Sequence, residues 1–305
     1  MIPIAASTRQ IRRLAVVIAC IAGILGVIDP GPVRGASSPA ARLVERLAPA
    51  IVGVRVVLKT EFNSGESTQD QESTLEARGV LVNDRGLVML WNSQLSASRL
   101  VDALETMGDG GQFRLKMTPT DFRITLPGDP TEHPAFLAAA DTDLDLAFLQ
   151  IEAPPERPLP AIDFARSREP EIGQTVFAVS RLSPGFDRAP FYESSEITGR
   201  LDKPRRAWLV DLSSDFLGLP AFDDEGRPLG VLVTIFNRSS DGSPQGSEML
   251  GFLSLGRSGR ESGPLALFLL PATRVRDLVV AAAARANELL AERRAAEPPA
   301  APAVP

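Results

Sequence analysis

Residues 79–90 read GVLVNDRGLVML, two short apolar runs joined by a polar turn. Asn83, Asp84 and Gly86 are residue types that favour the backbone conformations of tight turns. The flanking runs, 79–83 and 86–91, are short and contain β-branched valines, as strands do. The stretch therefore predicts an antiparallel β-hairpin.

The same pattern continues along the chain to about residue 271. Gly, Pro, Asp and Ser separate short apolar runs, with no helical repeat and no alternation of strands and helices. This predicts an all-β antiparallel domain, and a β-sandwich fits the pattern as well as a barrel does. The polar stretches 62–74 and 237–248 are expected to be surface loops. Further strands are expected at 51–58, 122–126, 145–151, 174–180, 206–212, 229–236, 248–255 and 265–270.

From Pro271 the apolar spacing becomes helical and remains so to about residue 296. A tail rich in Ala and Pro follows, and such a composition favours an extended or disordered segment. We therefore predict one domain over residues 37–285, with residues 286–305 forming the helix end and the tail. The helical positions are Val275, Leu278, Val279, Ala282, Ala286, Leu289 and Leu290.

The first 36 residues have the pattern of a secretory signal peptide or a short membrane anchor. Arginines at positions 9, 12 and 13 precede an uncharged stretch, residues 14–28, and then prolines and small residues. Fifteen helical residues span about 22 Å, less than the roughly 30 Å of a bilayer core, which favours cleavage over permanent anchoring. The protein is therefore expected to be exported to an extracytoplasmic or periplasmic compartment, with any membrane contact made by residues 14–28.

Composition limits the chemistry and the partners. Cys20 is the only cysteine, so a domain that begins after it cannot be a cysteine protease or hold a Cys/His zinc site, and no cofactor is expected. The net charge of −6 argues against a nucleic-acid partner. The densest basic run, residues 203–206 (KPRR), is interpreted as a solvated hairpin turn.

Five segments together resemble the HtrA/Deg branch of the chymotrypsin-fold serine proteases. They are the hairpin with its continuation LWNSQL at 90–95, DTDLDLAFL at 141–149, IGQTVFAV at 172–179, DFLGLPAFDDEGRPLGV at 215–231 and FLLPATRV at 268–275. The resemblance implies a double antiparallel β-barrel with a C-terminal helix.

The same resemblance implies that the catalytic triad is degenerate. Ser93 falls where the family has its histidine, Asp145 matches the family's aspartate, and Leu217 replaces the serine. The mechanism needs an imidazole to take the proton of the serine hydroxyl. The chain's one histidine, His133, is expected on the surface, in the polar connection entering the strand that ends at the Asp145 loop; a relocated catalytic base is the alternative. Asp215 lies in the turn that forms the family's oxyanion hole, where it would oppose a developing negative charge; the alternative is that it caps the turn or points to solvent.

Three functions follow as hypotheses. The first is an exported, inactive pseudoprotease that binds a protein or peptide, or regulates one, at the cell envelope. The second is an active serine peptidase or esterase with a non-standard site, using Ser93, Ser213 or Ser214. The third is a purely structural envelope module. If the family resemblance holds at these positions, as the first hypothesis requires, Ser93, Asp145 and Leu217 should converge at the interface between the barrels.

Overall fold

The structure is a computed structural model that describes residues 38–63, 68–95, 114–203, 205–234 and 267–296. Two α-helices, α1 (Pro39–Leu47) and α2 (Ala272–Ala296), flank the strands in sequence. The strands are β1 (Ile51–Asn63), β2 (Thr68–Leu81), β3 (Leu87–Trp91), β4 (Arg114–Thr125), β5 (Glu132–Asp141), β6 (Leu146–Ile151), β7 (Thr175–Arg181), β8 (Pro190–Leu201), β9 (Ala207–Val210), β10 (Pro220–Phe222), β11 (Pro228–Thr234) and β12 (Leu267–Pro271).

The first six strands form a closed antiparallel barrel in the order β1-β2-β3-β6-β5-β4, with β4 returning to β1. The predicted hairpin is confirmed, since Gly79 lies opposite Leu90 in the β2–β3 ladder. The Asn83 side chain organises its turn by accepting hydrogen bonds from the N–H groups of Arg85 and Leu87 at 3.0 and 2.9 Å.

The last six strands close a second antiparallel barrel in the order β10-β11-β12-β9-β8-β7. Closure follows from β10, which pairs with both β11 and β7. The double barrel predicted from the resemblance is therefore confirmed, and the β-sandwich is excluded. Helix α2, which packs against β5, β11 and β12, confirms the C-terminal helix.

Strand β3 places residues of the first barrel in two different apolar layers. Val88 and Leu90 point into the barrel interior, whereas Leu87, Met89 and Trp91 join the cluster that also fills the second barrel. All five side chains are buried. Because successive residues of a strand face opposite sides, this alternation places Trp91 at the interface between the barrels.

Helix α1 precedes the first barrel in sequence but packs on the second. Its apolar residues Leu43 and Leu47 belong to the second-barrel cluster. The Arg46 guanidinium donates a hydrogen bond to the carbonyl of Glu225 in the β10–β11 turn. Ser38 caps the helix by accepting from the N–H of Ala41 at 3.1 Å, and Pro39 occupies a first-turn position.

Some local predictions were wrong. Helix α1 was not anticipated, and Thr68–Thr74 belongs to β2 instead of a loop, because pairing along the long β1 outweighs its polar composition. His133 lies within β5 instead of a connection. The predicted strand at 248–255, the loop at 237–248, the N-terminal segment 1–36 and the tail after 296 lie outside the described residues. Among the described helices, none is long and apolar enough to cross a membrane.

Candidate active-site region

Asp145 receives hydrogen bonds from two side chains at the end of β3. The indole Nε1 of Trp91 donates to Oδ2 at 2.6 Å. The hydroxyl of Ser93 lies 2.8 Å from both carboxylate oxygens. Asp145 is only 1% exposed, so these donors compensate for the loss of water around its charge.

The turn between β5 and β6 is shaped to present this carboxylate. Asp145 adopts a left-handed conformation, φ 60°, which Asp tolerates better than most residues. The N–H of Asn92 donates to the Asp145 carbonyl at 3.0 Å. The Asp141 side chain accepts from the N–H of Leu144 at 2.7 Å. Both the backbone and the side chain of Asp145 are therefore tied to the segment that carries Ser93.

In the second barrel, Leu217 lies in a turn with a buried apolar side, and the N–H groups of Phe216 and Leu217 bond to carbonyls of the same turn. Leu217 follows a short 3-10 helix, Ser214–Phe216, and is 5% exposed. Its N–H donates to the carbonyl of Ser214 at 3.2 Å, and the Phe216 N–H donates to Ser213 at 3.3 Å. Since both groups already have acceptors, neither is free to stabilise a developing oxyanion.

Gly218 brings the two halves of the region into contact. Its φ of +77° suits glycine, and a Cβ placed there would lie 2.8 Å from the Cα of Trp91 and closer still to its nitrogen. The Gly218 N–H is bonded to the Leu232 carbonyl at 2.8 Å, which fixes the turn on β11. The structure thus brings Ser93 and Asp145 together and places the Leu217–Gly218 turn against Trp91. That these are the positions of a lost triad remains a prediction.

Asp215, in the same turn as Leu217, contacts the first barrel. Its carboxylate is 59% exposed and lies 3.6 Å from Nη1 of Arg78 on β2. Arg78 also donates from Nε to the carbonyl of Arg181 at the end of β7. These contacts connect the two barrels, although an exposed ion pair of this kind contributes little to stability.

A second arginine, Arg181 of β7, joins the second barrel to Ala48 and to the first residue of β1. Arg181 donates to the carbonyl of Ala48 from Nε and Nη2, at 3.2 and 2.9 Å, and to that of Ile51 from Nε at 3.0 Å. It also donates from Nη1 to the carbonyl of Arg188 at 3.0 Å. Burial lowers the pKa of the Arg181 guanidinium from its ordinary value, because desolvation disfavours the charged form.

The residues proposed for an alternative mechanism are not assembled around a base. His133 Nε2 lies 3.3 Å from the Asp129 carboxylate, and its strand neighbour across β4 is Ile124. The Ser213 hydroxyl is buried and has no hydrogen-bond partner among the described residues. Ser93 contacts a carboxylate, which is a much weaker base than imidazole at neutral pH.

Sequence reasoning did not identify the other residues that build this region. The roles of Trp91, Arg78 and Arg181 depend on contacts with distant segments. The one available signal was the position of Trp91 two residues before Ser93, in a strand where a large polar-tipped side chain needs a hydrogen-bond acceptor when buried. Within the described residues, no group of three or more His, Cys, Asp or Glu side chains is arranged to hold a metal ion.

Comparison with known proteins supports the fold. The profile of the family described as "Trypsin-like peptidase domain" matches residues 77–231, half of the chain. Among solved structures, the chain is similar to the MamO protease domain from Magnetospirillum magneticum in its apo form, with 15% identity and a TM-score of 0.43. That match covers 75% of this chain and 95% of the other. No curated protein sequence matches significantly.

Proposed function

Since the chain belongs to the family of trypsin-like peptidase domains, we propose that it is a catalytically inactive member, an exported pseudoprotease that binds a protein or peptide. The observation that carries the inactivity is the environment of Asp145. Its carboxylate is occupied by Ser93 and Trp91, where a working triad needs an imidazole. At the facing turn, Leu217, which the family resemblance aligns with the nucleophile, is a buried apolar side chain.

A fluorophosphonate probe tests the inactivity without a known substrate, because it reacts with any activated serine. We expect no labelling of the purified protein beside a trypsin control that labels fully. The matched variants Ser93→Ala, Ser213→Ala and Ser214→Ala would identify the reacting residue if labelling occurred. Stoichiometric labelling that one of these variants abolishes would overturn the proposal in favour of an active serine hydrolase.

A variant with a histidine and a serine at the two family positions tests whether the side chains alone, or also the backbone geometry, prevent catalysis. Ser93→His with Leu217→Ser returns a base beside Asp145 and a hydroxyl at the turn. Because the N–H of Leu217 is bonded to the Ser214 carbonyl, we expect weak or no labelling even in this variant. Adding Asp145→Asn provides the control. Labelling that appears in the double variant and disappears with Asp145→Asn would show that the backbone is still competent.

An exposed apolar hairpin beside this region supports the binding part of the proposal. In the hairpin formed by β7 and β8, Leu182 and Phe186 of the loop and Tyr192 of β8 are exposed, and Phe186 is 65% exposed. Beside the loop of the same hairpin, Phe191 packs on Phe216, the residue before Leu217, with ring centroids 5.3 Å apart. Exposed apolar side chains grouped on one element are typical of protein-interaction surfaces.

Selection from a phage-displayed peptide library, followed by fluorescence anisotropy, tests this surface. We expect Phe186→Asp to weaken binding of a selected peptide by about tenfold or more, the loss typical of a binding hot spot. Ile172→Asp is the matched control, since Ile172 is 64% exposed but lies before the opposite end of β7. Equal loss in both variants, or no selected peptide, would contradict peptide binding at the hairpin.

Export rests on the sequence of residues 1–36 and is tested separately. We expect the native protein to fractionate with the cell envelope or the extracytoplasmic compartment. Intact mass would then distinguish a cleaved signal, with a mature start near residue 36, from a retained anchor. Recovery with cytoplasmic markers and an unprocessed N-terminus would show that the protein is not exported.

A further inference from the structure

A cavity of about 340 Å³ lies beside the loop that carries Asp145. It is bounded by Leu144, the residue before Asp145, and by residues from three other segments of the chain. These include Glu169, the pair Arg205 and Arg206 before β9, and Leu270 and Arg274 at the junction of β12 with α2. Its volume lies within the range of small-molecule sites, about 300–1,000 Å³.

The charged lining of the cavity is predominantly basic. Three arginines face one carboxylate, so the lining carries a formal charge of 3 − 1 = +2. Arg206 lies 3.5 Å from Glu169, and both side chains are more than half exposed, so the pair is weak. Arg205 donates one hydrogen bond to the backbone carbonyl of Asp143, which orients its guanidinium without neutralising it.

Arg274 is the third lining arginine. Among the described residues, no carboxylate forms an ion pair with it. It lies in the first turn of α2, which contains no acidic residue. A cation is unfavourable at the positive end of a helix dipole unless an anion is close by. The lining therefore concentrates positive charge that an anionic ligand would stabilise.

We propose that this cavity binds a phosphate monoester with an apolar body. Arginine is suited to phosphate because its planar guanidinium can donate two parallel hydrogen bonds to neighbouring oxygens. A phosphate monoester carries a charge of about −1.5 to −2 at neutral pH, which matches the charge of the lining. Leu144 and Leu270 supply the apolar wall for the rest of the ligand.

Titration calorimetry with phenyl phosphate tests the proposal on the purified full-length protein. We expect saturable binding at a single site, weaker binding of inorganic phosphate and none of phenol. Arg274→Ala should reduce the affinity for phenyl phosphate by about tenfold to a hundredfold, because it removes charge-assisted hydrogen bonds. Arg274→Lys should fall between this variant and the wild type, since it keeps the charge but loses the paired donors.

Three further variants make the outcome specific to the cavity. Arg276→Ala removes an equal charge from the same helix at a residue that does not line the cavity, and it should leave the affinity unchanged. Glu169→Gln should tighten binding, because it frees Arg206 and raises the lining charge to +3. Arg206→Ala serves in place of Arg274→Ala if that variant loses its circular dichroism spectrum.

Several results would overturn the proposal. They are the absence of saturable heat with millimolar phenyl phosphate, equal weakening by Arg274→Ala and Arg276→Ala, and equal binding of phenol. Binding of phthalate without binding of phenyl phosphate would assign the site to dicarboxylates instead, which also contradicts the proposal.

Discussion

The two barrels contribute unlike halves to the region between them. The first-barrel half is polar, with Trp91 and Ser93 donating to a buried Asp145. The second-barrel half is apolar, with Leu217 and Phe216 buried and their N–H groups bonded within the turn. The polar half keeps a geometry that could hold a catalytic base, whereas the apolar half is packed like an ordinary core. Under the proposed function, this difference means that packing has replaced the nucleophile in the second barrel while the aspartate in the first stays under structural constraint.

Among the variants that test this comparison, removal of the Asp145 carboxylate is expected to change the free energy of unfolding most. Asp145→Leu should lower the free energy of unfolding by about 3–5 kcal/mol, since it leaves buried donors without an acceptor and puts a branched side chain at positive φ. Urea unfolding followed by tryptophan fluorescence measures the change. Asp145→Asn is the control and should lose only about 1–2 kcal/mol, because Asn tolerates the left-handed conformation and keeps one acceptor oxygen. A near-neutral Asp145→Leu would show that the polar half carries no structural constraint.

The contact between the halves is tested at Gly218. Gly218→Ala should cost about 3 kcal/mol, because the new Cβ adds overlap with the Trp91 backbone to the strain of a positive φ. Gly173→Ala provides a matched measurement, since Gly173 has φ +85° and nothing within 4 Å of the added Cβ. It should cost only about 1 kcal/mol, the strain term alone. Similar losses in the two variants would mean that the halves are not in close contact.

The apolar half is tested by placing a hydroxyl at position 217. Leu217→Ser should destabilise the protein by about 2 kcal/mol, because it removes a buried aliphatic side chain and adds a polar group. Ser213→Ala in the same turn should be neutral or stabilising, since the Ser213 hydroxyl is buried without a partner in the described chain. If thermal unfolding showed both variants unchanged, the turn would not be part of the core.

The smallest expected effect on stability is that of Asp129, which contacts His133. Hydrogen bonds from Thr131, first from its side chain and then from its N–H, lower the pKa of Asp129 from its ordinary value of 3.8, with a smaller contribution from His133. A lowered folded-state pKa gives stability above the unfolded pKa that is lost as pH falls through the folded value. Asp129→Asn should therefore reduce the melting temperature slightly at neutral pH, and the difference from wild type should shrink as the pH falls below about 3.8 and vanish once the pH is below the lowered folded-state pKa of Asp129. A difference that persists at low pH would rule out the carboxylate charge as its cause.

Local patterns in the sequence predicted an antiparallel β domain followed by a helix, but not the contacts between the barrels. The hairpin turn within 79–90 and the helix from about 271 to 296 lie where they were expected, because turn residues and apolar spacing act locally, although β2 begins earlier than expected, at Thr68. Helix α1 was missed since only Leu43 and Leu47 are fully buried in it, and their role depends on a surface far along the chain. The proximity of Ser93 to Asp145 was expected only from the family resemblance. The indole of Trp91, the closure by Gly218 and the arginine-lined cavity depend on long-range packing that no local pattern encodes.

The placement of α1 has a consequence for the order of events during synthesis. The first barrel closes within residues 51–151, so it can form while the rest of the chain is still being made. Arg46 must instead wait for Glu225, 179 residues later, and the carbonyls of Ala48 and Ile51 must wait for Arg181. Contacts of such long sequence separation form late and slowly. We therefore expect helix α1 to dock last, so that residues 39–47 are the final ones of the described chain to become protected from proteases.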